Sequence, residues 1–93
     1  MGSNIISAIM LATQKYKITL YREVNNKTRY YSIRIYPTLF GEYLIYKEYG
    51  NIRNKKPTRI IKEYTKTIDE AIKIYDCKVV QKLKKGYFTQ RVL

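Results

Sequence analysis

Residues 58–86 read TRIIKEYTKTIDEAIKIYDCKVVQKLKKG, and the spacing of apolar residues changes within this stretch. Up to Thr65, apolar and polar residues alternate, which is typical of a half-buried strand with Ile60 and Tyr64 on one side. From Thr67 onward, apolar residues recur at intervals of three and four, which predicts an amphipathic helix. This change of period favours a fold in which a sheet and a helix pack together.

The predicted helix carries signals at both of its ends. Thr67 and Glu70 fit a capping box, in which the Thr hydroxyl accepts a hydrogen bond from the third backbone N–H. Gly86 suits a left-handed C-terminal cap, so the helix should span about nineteen residues. We expect one face of it to cover the sheet, and that face carries Ile68, Ala71, Ile72, Tyr75, Val79 and Leu83.

Alternating patterns predict three further strands before this region. Residues 15–24 and 29–36 alternate, and the asparagine-rich turn between them, residues 25–27, predicts a hairpin. The third strand covers residues 42–49, with Gly50 at its end or in a bulge.

The expected fold class is therefore α+β, with an antiparallel β-sheet of four to five strands and one long C-terminal helix packed on one face. Residues 51–57 lack periodicity and predict a loop. Residues 87–93 would supply the fifth strand, at an edge of the sheet.

The composition limits the domain count and the compartment. The chain has 93 residues, 19 Lys+Arg, 7 Asp+Glu and a net charge of +12. A chain of this length fills one core, so we expect a single domain at residues 14–93 after an apolar N-terminal extension at residues 1–13. That extension is either flexible or a short helix, and it is too short to span a bilayer. The single cysteine forms no intrachain disulfide, which favours a cytoplasmic protein.

Several classes of catalytic site are excluded by the residues that are absent. Without histidine, the chain forms neither a Cys/His zinc site nor a Ser-His-Asp or Cys-His catalytic set. Its four glycines are too dispersed for a phosphate-binding glycine loop. An acid two residues before a lysine occurs only at Asp76 and Lys78, inside the predicted helix, where a structural role is favoured. Cys77 between them is expected to be buried or at the boundary of the core. The sequence predicts no catalytic residue, no metal ligand and no cofactor.

Several separated motifs occur in an order that characterises a known family. They are YYSIRI at residues 30–35, PTLFGEY at 37–43, KEYGNI at 47–52, DEA at 69–71 and KLKKGY at 82–87. Over residues 15–88 the chain resembles the WGR domain. The resemblance implies an antiparallel sheet with one packed helix, which is also the fold that the hydrophobic periods predict.

The family is named for Trp-Gly-Arg, and these positions read Tyr49, Gly50 and Asn51 in this chain. In the poly(ADP-ribose) polymerases, WGR domains help to bind DNA break ends, with the Trp against a terminal nucleotide and the Arg in polar contacts. The resemblance implies that the ring of Tyr49 stacks on a sugar or a base. Asn51 lacks the charge and the bidentate reach of an arginine, and Arg53 is available nearby to substitute in part.

Basic residues gather in the half of the chain that contains these positions. Residues 49–93 hold twelve basic and four acidic side chains. A basic loop beside an aromatic residue can hold phosphates while the ring stacks, although an AT-rich coding sequence and a solvated loop would give the same composition. The lysines near the helix end either contact a nucleic-acid backbone or only offset the helix dipole, and Tyr87 faces either the core or a ligand. The candidate nucleic-acid-binding residues are Tyr49, Gly50, Asn51, Arg53, Lys55, Lys56, Arg59, Lys84, Lys85 and Tyr87.

Two functions from different classes fit these observations. We expect a non-catalytic module that binds nucleic acid, DNA rather than RNA, at DNA ends or at nicked or bent DNA. The alternative is a protein–protein interaction or regulatory module whose sheet, basic face or apolar N-terminus binds an acidic partner. A role at a membrane surface rests only on the charge and the apolar start of the chain, and it is disfavoured.

Overall fold

A computed structural model describes residues 16–89 of the chain, in which four antiparallel strands precede one helix. The strands pair in sequence order, β1-β2-β3-β4, so the sheet is a meander. The predicted α+β class, with a four-stranded sheet and a C-terminal helix, is confirmed. The elements are β1 (Lys17–Val24), β2 (Lys27–Pro37), β3 (Tyr43–Asn51), β4 (Arg59–Thr65) and α1 (Ile68–Lys84).

The hairpin between β1 and β2 turns through two residues, as its asparagines predict. Val24 pairs with Lys27, and Asn25 and Asn26 between them have φ values of 53° and 65°. Positive φ at both central residues is the type I′ geometry, whose twist matches that of the flanking strands. Asparagine tolerates this conformation better than most residues, which explains its position here.

The core lies between one face of the sheet and one side of α1. Leu20, Ile33 and Ile45 have fully buried side chains in β1, β2 and β3, and α1 contributes Ala71 and Tyr75. Burial of a large aliphatic side chain stabilises the fold by roughly 1.5–3 kcal/mol. These strand positions and the helix face therefore contribute directly to the stability of the core.

The buried face of α1 differs from the predicted stripe at two places. Leu83 is 43% exposed, whereas Ile74 packs against the core, so the apolar stripe that packs on the core does not extend to Leu83. Cys77 is exposed, and its predicted position in or beside the core is wrong. It follows Tyr75 by two residues, which places it roughly 200° around the helix from that buried side chain.

Both ends of α1 are capped. At the N-terminus, the hydroxyl of Thr67 accepts a hydrogen bond from the backbone N–H of Glu70 at 3.2 Å. At the C-terminus, the N–H of Tyr87 donates to the Lys82 carbonyl, at 3.1 Å, and Gly86 adopts φ 97°. This is a Schellman motif, in which a glycine takes the left-handed position. The predicted caps at Thr67 and Gly86 are both present.

After the cap, the chain returns to the free edge of β1. Tyr21 and Phe88 exchange two backbone hydrogen bonds, of 2.9 and 2.8 Å. Within residues 16–89 the predicted fifth strand amounts to this single bridge. The remainder of that strand and the apolar extension at residues 1–13 lie outside the described residues. No helix in the described part of the chain is long and apolar enough to cross a membrane.

Candidate functional site

β3 continues for two residues after β4 separates from it. The two strands pair as far as Tyr49, which lies opposite Arg59. Gly50 and Asn51 continue the ladder with β2 alone. The strand end predicted at Tyr49 is therefore two residues short, and Gly50 lies inside the strand. The end of the loop that leads to β4, at Pro57 and Thr58, lies against this part of β3.

Gly50 is required at this position by a close approach of the loop. A Cβ atom there would lie 2.9 Å from the backbone nitrogen of Thr58 and 3.3 Å from the Cα of Pro57. The N–H of Thr58 also donates a hydrogen bond of 2.8 Å to the carbonyl of Tyr49. A larger residue would push the β3–β4 loop away from the strand, because backbone atoms cannot move aside as a flexible side chain can.

An open pocket of about 240 Å³ lies at this end of the sheet. Its lining contains four residues that the sequence singled out and four that it did not. None of the eight is acidic, so the charged side chains in the lining are all cations. The lining residues are Tyr49, Gly50, Asn51 and Tyr87 from the predicted set, and Lys27, Arg29, Tyr30 and Thr58.

Tyr49 contributes an aromatic ring that lies beside the ring of Tyr31. It is half-buried, and its ring is stacked nearly parallel to that of Tyr31, with centroids 6.4 Å apart. The Nζ of Lys82 on α1 lies 4.6 Å from the ring centroid of Tyr31 and 5.3 Å from that of Tyr87. Such cation–π contacts hold the helix end against the aromatic residues. Sheet, helix and C-terminal segment therefore meet beside the pocket.

Positive charge is concentrated around Lys82. Burial lowers the pKa of its ammonium group, and the neighbouring Lys85, Lys78 and Arg22 lower it further. The protonated form is thus disfavoured by its surroundings, both through lost hydration and through like-charge repulsion. A bound anion would relieve this repulsion, so the end of α1 favours negatively charged ligands.

Asn51 combines a structural contact with a free donor group. Its Oδ1 accepts a hydrogen bond from the backbone N–H of Arg53 at 3.0 Å, an Asx turn that shapes the start of the loop. Its amide NH₂ is the group that remains for a ligand. Directly opposite Asn51 on β2 lies Arg29, and facing residues of paired strands have Cβ atoms only about 5 Å apart. A guanidinium group, that of Arg29, therefore lies on the neighbouring strand beside Asn51.

The other predicted residues lie outside the pocket lining. Exposed basic side chains of the β3–β4 loop stand between Asn51 and Thr58, which both line the pocket; they are Arg53, Lys55 and Lys56. Arg59 is exposed at the start of β4. Lys85 is the C-cap residue of α1. Lys84 lies apart from the pocket, in a shallow depression on α1 beside Asp76 and Val80.

Two acidic side chains of the sheet are held in ion pairs. Glu48 lies 3.5 Å from Arg34, and Glu63 lies 2.9 Å from the buried Lys47. Within residues 16–89, no group of three or more His, Cys, Asp or Glu side chains is placed to hold a metal ion.

Sequence reasoning missed Lys27, Arg29, Tyr30 and Thr58 as lining residues, and it considered Lys82 in the helix-end lysine cluster without including it among the candidate residues. The first three belong to β2, and only the register between β2 and β3 brings them beside Tyr49 and Asn51. An alternating pattern indicates a strand without fixing its register against a neighbour. Among these residues, the sequence pattern points only to Lys82, because it belongs to the same helix-end lysine cluster as Lys84 and Lys85.

Comparison with known proteins identifies the family. The WGR domain model matches residues 16–92, nearly the whole chain, and this range contains the β2, β3 and α1 motifs on which the resemblance rests. Neither the curated proteins nor the solved structures gave a significant match. The chain therefore belongs to the WGR domain family, a family of nucleic-acid-binding modules.

Proposed function

We propose that this chain is a non-catalytic module that binds DNA, at ends or at nicked or bent sites, through the pocket at the end of β3. The observation that carries the proposal is the lining of that pocket, in which tyrosine rings and cations converge with no acid among them. Cations attract the phosphate backbone and aromatic rings stack on bases or sugars, which is the usual chemistry of binding without base readout.

The size of the pocket favours part of a polymer over a whole small molecule. Its volume of about 240 Å³ is below the roughly 300–1,000 Å³ of sites for drug-sized ligands. One phosphate, sugar or base is a better match. The exposed basic residues of the β3–β4 loop, Arg53, Lys55 and Lys56, then hold the adjoining backbone.

The half-buried ring of Tyr49 favours an end or a nick over an intact duplex. The ring is half-buried beside the nearly parallel ring of Tyr31, so a ligand can stack only on its exposed part. Inside a duplex, both faces of each base are covered by its neighbours. At an end or a nick, a base or sugar is free to meet the ring. The preference for DNA over RNA rests on the resemblance to WGR domains that bind DNA breaks.

Fluorescence anisotropy with four matched probes tests this function. The probes are a 5′-phosphorylated blunt DNA duplex, a closed dumbbell of the same sequence, the single strand and the corresponding RNA duplex. We expect the open DNA duplex to bind most tightly at physiological salt. Equal binding to all four probes, lost as salt is raised, would show only diffuse charge attraction and contradict the proposal.

Substitution of Tyr49 tests the role of its ring. Tyr49→Ala should weaken binding of the open duplex several-fold or more, because a stacked base contributes about 1–3 kcal/mol, while Tyr49→Phe should retain most of the affinity. Tyr64→Ala is the matched control, since Tyr64 is a tyrosine of the same sheet that is 58% exposed and does not line the pocket. An equal loss in both alanine variants would contradict a role for the Tyr49 ring.

A further inference from the structure

The loop between β2 and β3 presents two large apolar side chains that no described residue covers. Leu39 is 98% exposed and Phe40 is 87% exposed. The most exposed of the other large apolar side chains in residues 16–89 is Tyr64, at 58%. Single exposed apolar residues are ordinary on protein surfaces, but adjacent and almost fully exposed ones mark interaction sites.

The backbone under these side chains is fixed by hydrogen bonds. The hydroxyl of Thr38 accepts from the backbone N–H groups of Phe40 and Glu42, at 3.3 and 3.2 Å. The N–H of Thr38 donates to the carbonyl of Glu42 at 2.8 Å, and Gly41 adopts φ 79° to close the loop. A loop held in this way has little conformational entropy left to lose when it binds.

Further apolar residues lie at the same end of the sheet, on the face opposite α1. Tyr36 lies opposite Leu44, and Leu44 lies opposite Tyr64, in the pairing register of β2, β3 and β4. Tyr36 and Tyr64 are 41% and 58% exposed. We call the surface formed by Tyr36, Leu39, Phe40, Leu44 and Tyr64 the tip patch.

Charge distinguishes the loop of the tip patch from the rest of the chain. In residues 37–43, which carry Leu39 and Phe40, Glu42 is the one charged residue, although the whole chain carries +12. On the sheet part of the patch, Arg34 donates to the hydroxyl of Tyr36 but is paired with Glu48, and Lys62 lies two residues from Tyr64. Nucleic acid and anionic membranes both require cations at the contact. A second copy of the chain would bring two strongly positive molecules together. An apolar pocket on a different protein meets none of these objections.

We propose that the tip patch is a docking site for a protein partner, which receives Leu39 and Phe40 in an apolar pocket with a hydrogen-bond donor or a cation opposite Glu42. The patch and the nucleic-acid pocket lie at opposite ends of β3, between Tyr43 and Asn51. At about 3.3 Å per residue, that is roughly 26 Å. Protein docking at one end therefore leaves the other end free, and the inference does not depend on nucleic-acid binding.

Site-specific photo-crosslinking in native cells tests the proposal. The full chain carries p-benzoylphenylalanine in place of Phe40, or in place of Val80, a half-exposed apolar residue on α1. We expect one protein adduct from the first position that is absent from the second. Excess wild-type chain should compete for this adduct, and the Leu39→Ser/Phe40→Ser variant should not.

The partner identified in this way is then purified and titrated by calorimetry. Leu39→Ser/Phe40→Ser should raise the dissociation constant roughly tenfold or more, as expected when central apolar anchors are removed. Val80→Ser is the matched control and should bind like the wild type. Because Leu39 and Phe40 are almost fully exposed, the double variant should melt at the wild-type temperature and retain its affinity for DNA.

Three results would overturn the proposal. The first is the absence of a specific adduct at position 40, or partner binding that the double variant leaves unchanged. The second is binding to vesicles of phosphatidylglycerol and phosphatidylcholine that the double variant abolishes, which would assign the patch to a membrane. The third is self-association in sedimentation that depends on Leu39 and Phe40, which would assign the patch to a second copy.

Discussion

At the scale of single residues, Tyr31 shows how the core and the site share one side chain. It is 3% exposed in the centre of the sheet and stacks on Tyr49 at the pocket. Its hydroxyl is buried and has no hydrogen-bond partner among the described residues. Burial raises the pKa of the phenol, and Glu63, Tyr49 and Tyr87 raise it further. The folded protein therefore holds the neutral form of this side chain.

This raised pKa predicts a loss of stability in alkali that Tyr31→Phe should reduce. Above about pH 10, tyrosine ionises in the unfolded chain while Tyr31 stays protonated in the folded one, so the free energy of unfolding falls as pH rises. Phenylalanine has no proton to release, so this part of the alkaline loss of stability should disappear. At neutral pH the substitution also removes an unpaired hydroxyl, so the free energy of unfolding should be unchanged or higher by up to about 1 kcal/mol.

Urea unfolding followed by circular dichroism between about pH 7 and 11 measures both effects. In the variant, the free energy of unfolding should still fall somewhat as pH rises, because burial also raises the pKa of Tyr30 and Tyr75. Lys82 acts in the opposite direction, since its lowered pKa makes stability rise with pH, but it is present in both proteins. An alkaline slope identical in the two proteins would contradict the assignment to Tyr31.

At the scale of elements, the two caps of α1 have separable effects. Thr67→Ala removes the hydroxyl that accepts from Glu70 and should lower the free energy of unfolding by about 1 kcal/mol. Gly86→Ala forces a side chain into the left-handed conformation, at about 1–2 kcal/mol. Only the second change disturbs the segment that positions Tyr87 at the pocket, so it alone should weaken binding of the open duplex.

Urea unfolding and anisotropy on the same samples separate the two effects. Gly86→Asn serves as the control for Gly86→Ala, because asparagine tolerates positive φ and should retain most of the stability and affinity. If Thr67→Ala and Gly86→Ala reduced DNA affinity equally, the loss would reflect general instability, and the positioning of Tyr87 by the cap would be refuted.

The elements themselves could be predicted from the sequence because each depends on a local pattern. In a strand with one face buried against α1, apolar residues recur every two positions, and on the buried side of a helix they recur about every 3.6 positions. Asn25 and Asn26 are typical of the hairpin turn that they form. These patterns act over a few residues, so they survive without knowledge of the fold. They were sufficient for the four strands, the helix and both of its caps.

The remaining features depend on contacts between distant parts of the chain. Arg29 enters the site because it faces Asn51 across a register that no local pattern specifies. Tyr49, Gly50 and Asn51 were found through family motifs, which record such contacts indirectly. The exposure of Leu39 and Phe40 runs against the general tendency of large apolar residues to be buried, so only the folded chain reveals it.

At the scale of the whole molecule, charge is distributed unevenly between the two ends of the sheet. Cations surround the pocket end, and residues 35–46 at the other end have none. A net charge of +12 attracts any polyanion at low salt, so affinity alone does not distinguish a defined site from the whole surface. The dependence of affinity on salt makes that distinction, because it counts the phosphates that are neutralised.

Six cations of the described residues at the pocket end are the proposed phosphate contacts: Lys27, Arg29, Arg53, Lys55, Lys56 and Lys82. If each neutralises one phosphate, log K should fall with log salt at a slope of about −5, and affinity should drop roughly a thousandfold between about 50 and 200 mM salt. Binding by the full net charge would give a slope of about −11.

Lys55→Gln/Lys56→Gln should make the slope of log K against log salt shallower by about 1.8. Lys17→Gln/Lys62→Gln, on the sheet face opposite α1, should leave it unchanged, and equal effects of the two double variants would show that no defined end of the molecule holds the DNA.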